Sequence, residues 1–152
     1  MKRIGAVFVM LAGLATFNGA VQAEPKFENA SDAVAYRQAA LKLMGAHSAS
    51  LAEVMRGRVE FDAEHVRAEI HTLRTLAELP WKAFKPGMEG GNARKEVWEQ
   101  SEKFKAAADA LLQKLDHLEK EAESNDLARI RAAYSDAAAS CKACHDNFRQ
   151  RR

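Results

Sequence analysis

The chain has two cysteines, and both stand in the run Cys141-Lys142-Ala143-Cys144-His145 close to its C-terminal end. Around them Leu127, Ile130, Tyr134, Ala137, Cys141, Cys144 and Phe148 follow one another at alternating steps of three and four, the period of a helix with one apolar face. No other feature of the sequence constrains the fold as strongly. On a helix, residues 141, 144 and 145 share one side, so a group of metal-binding and nucleophilic side chains is built into the stripe that should face the core. Two thiols at this spacing followed by an imidazole form the c-type haem attachment signature. The thiols can add to the two vinyl groups of one haem as thioethers, and His145 is then held below the iron as its proximal ligand. The expectation is one covalently bound haem c inside a helical bundle.

Other chemistries for the cysteine pair fit less well. A thioredoxin-type redox disulfide opens a helix within a strand-helix-strand unit, whereas this pair lies in the last turns of one. A zinc site would need a second half. No second cysteine pair exists, and His65 and His71, six residues apart, fall on different helix faces.

The opening residues supply a matching compartment. Lys2 and Arg3 precede an apolar run over residues 4–17, and Val21-Gln22-Ala23 stands just before the first acid, Glu24. A positive start, an apolar middle and a small-residue cleavage site read as a secretory signal peptide over residues 1–23. The run is short for a membrane anchor and no stop-transfer flank follows. Residues 24–152 are therefore expected as one periplasmic haem domain, with no stable membrane insertion after cleavage. Covalent haem attachment agrees, because in bacteria it is completed outside the cytoplasmic membrane. The leader carries two of the 23 basic residues and none of the 21 acidic ones, so the mature chain is close to neutral. With no basic and aromatic platform either, no nucleic-acid partner is expected.

Taken in order, residues 24–30 form a short lead-in, and Ser31 or Asp32 can cap the first helix. Its stripe is Val34, Leu41, Met44, Ser48, Leu51 and Met55, and Gly57 ends it. A second stripe of Tyr36, Ala40, Leu43 and Val54 makes this helix apolar on more than one side, which suits either a wide core-facing surface or a subunit contact. Asp62 can cap a second helix carrying Val66, Ile70, Leu73 and Leu76, and Pro80 stops it. Residues 79–92 contain Trp81, Phe84, Pro86, Gly87, Gly90 and Gly91, a composition that forbids a regular helix. Long loops in compact domains are often functional, and Trp81 and Phe84 are expected as lids over the bundle. Asn92 can cap the third helix, with Val97, Ser101, Phe104, Ala108, Leu111, Leu115 and Leu118 on its stripe, and a break over residues 123–125 opens the haem helix. With no strand pattern, the expected fold is all-α, an antiparallel four-helix bundle with haem bound near the C-terminal helix.

Several separate stretches, Tyr36-Arg37-Gln38-Ala39-Ala40-Leu41, Leu79-Pro80-Trp81, Glu89-Gly90-Gly91, and Cys141 to His145 with Asp146 and Arg149, make the chain resemble the class II cytochromes c, most closely the cytochrome c prime family. The likeness covers essentially all of residues 24–152. It implies that the residue four after Arg37 faces the open side of the iron. Where family members have methionine there, the haem is six-coordinate, low-spin and suited to electron transfer. Here the residue is Leu41, which has no lone pair. The resemblance therefore implies a five-coordinate, high-spin or spin-admixed iron bound by His145 alone, under an apolar pocket of Leu41, Met44, Trp81, Phe84 and Phe104. It further implies Arg149 near the proximal face, where it can interact with a bound gas, and Arg37 paired with a haem propionate. Met44 lies three residues beyond Leu41 and carries a thioether able to ligate haem; the other reading is a packing methionine. His47, six beyond Leu41, is turned away and reads as a surface residue.

Such a site suits small uncharged diatomics, nitric oxide (NO) and carbon monoxide (CO), with a role in nitric oxide tolerance. Without a general acid or base near the iron, no enzyme activity is expected. The alternative is an electron-transfer cytochrome with a six-coordinate haem and an unidentified redox partner. Family likeness also implies a homodimer built on the first two helices.

Overall fold

The computed structural model describes residues 25–150; the expected leader, residues 1–23, lies outside them. Helix α1 (Ala30–Met55) begins at Asn29, whose side chain accepts from the Asp32 amide, so the cap is Asn29 and not Ser31 or Asp32. Amides in the first turn have no partner within the helix, and an Asn oxygen at this position satisfies one of them. At the other end Gly57 takes a φ of 72°, and Arg131 Nε donates to the Met55 carbonyl at 2.7 Å. The buried face of α1 runs through Ala33, Arg37, Ala40, Met44 and Leu51, while Val34 and Leu41 sit half-buried at its edge. Of the second stripe, Ala40 and Val54 enter the core and Leu43 stays 50 % exposed.

Helix α2 (Ala63–Leu76) starts at Asp62, which accepts from the His65 amide as expected. Its buried residues, Val66, Ile70 and Leu73, follow the sequence period. Pro80 then opens a single 3-10 turn, Pro80–Ala83. Asn92 caps no helix: its carbonyl accepts from the Gln150 amide at 2.9 Å. The third expected helix is interrupted, with one turn, α3 (Glu96–Glu99), and a break at Gln100 before α4 (Ser101–Ala122). Asn125, at a φ of 55°, turns the chain. Asp126 then caps α5 (Leu127–Phe148), accepting from the Ala128 and Arg129 amides.

The four long helices form an antiparallel bundle in which α2 packs on α1 and α4, α4 packs on α5, and the 3-10 turn lies on α1. Leu51, Ile70, Leu118 and Ile130 are essentially fully buried at its centre, each worth roughly 1.5–3 kcal/mol of apolar transfer. Tyr134 on α5 donates its hydroxyl to the Ser48 carbonyl at 2.8 Å, linking α5 to α1. Among the described residues no helix is long and apolar enough to cross a membrane.

Candidate haem-binding site

At the C-terminal end of α5 the thiols and the imidazole share one side, but that side is at the rim of the core. Cys141 is half-buried and packs on the core cluster, Cys144 is half-buried, and His145 is exposed. On a helix, His145 is turned about 100° from Cys144, which carries it to the outer edge of the stripe. Both thiols are free, and burial pushes both above the ordinary thiol range, with the neighbouring Cys141 adding to the effect on Cys144. Although its ring reaches solvent, partial desolvation by its neighbours and then the charge of Arg149 lower His145, against the opposing pull of Asp146. The neutral imidazole so favoured is the form that binds a metal. Among the described residues no group of three or more His, Cys, Asp or Glu could hold a metal ion.

Arg149 does not continue the helix face of His145. It is the C-cap, extended at φ −111°, ψ 136°, although its amide still donates to the His145 carbonyl at 3.2 Å. An isolated antiparallel bridge pairs it with Ala93, made by the Arg94 amide on the Phe148 carbonyl and the Gln150 amide on the Asn92 carbonyl, both 2.9 Å. The end of the haem helix is therefore tied to the end of the long loop.

The loop supplies an aromatic wall. Phe84 lies 4.8 Å from Phe104, 6.4 Å from Trp81 and 6.4 Å from Trp98, and Phe104 meets Phe148 edge-on at 5.3 Å. Leu41, Trp81 and Cys141 all pack against the same core cluster, and the Phe104–Phe148 contact ties the aromatic wall to the last turn of α5. Met44 is 7 % exposed and belongs to that cluster, as a packing methionine does. His47 is half-buried and faces α2, its Nδ1 2.9 Å from Glu69 Oε2.

Arg37 has partners that its sequence spacing does not announce. It is 2 % exposed, and its terminal nitrogens are bound to the carbonyls of Ala83 (2.6 Å), Met88 (2.6 Å) and Gly90 (2.9 Å). Its guanidinium also lies 4.6 Å from the Phe84 ring centroid and 5.6 Å from that of Trp98. Burial lowers its pKa and the charge of Glu89 opposes this. Both terminal nitrogens donate to carbonyls of the loop, so Arg37 holds its backbone in place. The sequence reading also missed Trp98 and Phe148 as wall residues. Phe148 was visible on the haem-helix stripe, whereas Trp98 carried no signal beyond its aromatic side chain.

Two free thiols three residues apart, an adjacent imidazole and an apolar wall reaching the last turn of the same helix fit a covalently held haem. A family pattern described as Cytochrome C' matches residues 32–149. The chain is 42 % identical over 127 residues to cytochrome c' of Alcaligenes xylosoxydans xylosoxydans, which covers 84 % of this chain and all of that protein. Identity to cytochrome c' of Rubrivivax gelatinosus is 36 % over 129 residues, covering 83 % of this chain and all of the relative. A solved nitric oxide complex of a leucine-to-alanine variant of cytochrome c prime from Alcaligenes xylosoxidans superposes with a TM-score of 0.82 at 42 % identity, over 84 % of this chain and all of that one. Kinship along most of its length, carried by the same helical bundle, means that the chain belongs to the cytochrome c' family, in which haem c is the covalently attached cofactor.

Proposed function

We propose that this is a periplasmic protein that binds small uncharged gases, nitric oxide and carbon monoxide, and contributes to nitric oxide tolerance. Haem held here would supply an iron able to coordinate such a gas. Cys141 and Cys144 would hold the cofactor covalently, and His145 would offer the one protein ligand. Leu41 has no lone pair and would not compete with a gas for the iron. The observation that carries the reading is the state of the polar groups in the wall. Trp81 Nε1 donates to the Ala77 carbonyl at 2.6 Å, Trp98 Nε1 donates to the Lys85 carbonyl at 3.2 Å, and Arg37 is engaged by three carbonyls. With both indole N–H groups committed to backbone carbonyls, neither wall tryptophan is free to donate to a bound dioxygen, which supports ligands that need only the iron. Solved relatives in complex with nitric oxide support the choice of gas.

Arg149 stands close enough for its charge to act on His145, and we assign it to the proximal side. The apolar leader over residues 1–23 supports export. Exposed Leu43 on α1 and Val59 in the link to α2 support a homodimer through the first two helices.

The test is the optical and electron paramagnetic resonance spectrum of the purified holoprotein, ferric and ferrous, before and after each gas. A high-spin or mixed-spin ferric signal with ready gas uptake is expected. A low-spin spectrum that resists carbon monoxide refutes the reading and makes electron transfer through a six-coordinate haem the function.

A further inference from the structure

We infer that Arg37 is a positioning residue, which locks the loop over residues 83–94 as a strap against α1 and thereby sets how readily a gas passes the aromatic wall. The inference rests on the gas-binding reading above and adds a residue that controls access. A guanidinium removed from water needs acceptors for its donors. Its terminal nitrogens find them in the strap, at the backbone carbonyls of Ala83, Met88 and Gly90. Three carbonyls spread over eight residues converge on one planar fork only if the strap is folded around it. One guanidinium therefore determines the course of the backbone that carries Phe84.

Two further contacts make the strap a single body. The guanidinium lies over the Phe84 ring at 4.6 Å, so the group that gathers the carbonyls also braces the wall residue. The backbone at Gly91 runs so close to α1 that a Cβ there would come within 2.7 Å of Gln38 Nε2 and 2.9 Å of Val34 Cγ1. Gly91 also takes a φ of 61°, a conformation open to glycine and strained for other residues. Past Gly91 the strap ends in the Ala93–Arg149 bridge. Arg37 is one helical turn before Leu41, so α1 carries both the residue expected over the open side of the iron and the lock on the strap. A lysine cannot reproduce the fork or its stacking.

Two variants of the holoprotein approach the lock from opposite sides. Arg37→Lys keeps the charge and loses the fork, and Gly91→Ala pushes the strap away from α1 while leaving Arg37 intact. Both should raise hydrogen exchange at the Met88 to Gly91 amides and speed carbon monoxide association by about tenfold, with Gly91→Ala remaining testable should the arginine variant fail to fold. A merely structural Arg37 would lower the melting temperature and accelerate exchange with association unchanged, and that result overturns the inference. A wild-type protein that takes up no carbon monoxide refutes the gas-binding reading and this inference together. Wild-type uptake with unchanged variants refutes only the role of Arg37.

Discussion

Replacing Leu41 by alanine should open the α1 side of the site to gas at a modest cost in stability. Leu41 is half-buried and packs on the core cluster that includes Met44 and Ala137. In the proposed function a gas must displace this side chain to reach the iron. Forcing a packed side chain aside resembles overpacking a core, which costs about 1–3 kcal/mol. At 1.36 kcal/mol per factor of ten, removing that cost should speed carbon monoxide association by about 5- to 150-fold. Fully buried leucine-to-alanine changes lose about 2.7–5 kcal/mol, and a half-buried leucine should lose less, about 1–2.5 kcal/mol on the same scale. Flash photolysis or stopped-flow mixing of the ferrous holoprotein gives the rate, and a thermal melt of the same sample gives the stability. A lowered melting temperature with an unchanged association rate would show that Leu41 only packs and that the gate lies elsewhere.

Met44→Leu should leave the spin state untouched and cost less than about 1.5 kcal/mol, because it exchanges volumes of similar size within the core; a change of spin state would identify the thioether as an iron ligand. Arg149→Ala should alter the spectrum of the nitric oxide adduct and leave carbon monoxide binding nearly as it was. The bridge at Ala93 is made by the backbones of residues 92, 94, 148 and 150 and survives this substitution, so equal effects on both gases would make Arg149 structural. Sedimentation at micromolar concentration should give a dimer, and a monomer alone would remove the proposed contact through the first two helices.

Much of the fold could be read without coordinates because its determinants are local. Asp62 reaches an amide three residues on, and Val66, Ile70 and Leu73 lie within two turns of one another. The thiols and imidazole of the site also belong to one helical segment, so spacing alone brought them together. Choices among adjacent residues were harder. Asn29, Ser31 and Asp32 are all competent caps, and which one is used depends on where the lead-in chain joins α1. Similarly, a continuous third helix was expected because residues 97 to 118 keep their period through the break at Gln100, whose backbone leaves the helical region at φ −124°, ψ 46°.

The role of Arg37 was out of reach from spacing, since its partners lie 46 to 53 residues away and present only carbonyls. Every residue has a carbonyl, so nothing in their side chains marks Ala83, Met88 and Gly90 as acceptors. The extended backbone of Arg149 was hidden for the same reason: the bridge to Ala93 is made of main-chain groups. What the amino-acid order determined by itself was each helix's apolar face and the haem-attachment run upon it, through side-chain period and chemistry. Tertiary structure alone decided the direction in which Arg37 points, the wall formed around Phe84 and the exit of Arg149 from α5, because contacts between distant backbone groups exist only after the helices have packed and closed the loop between them.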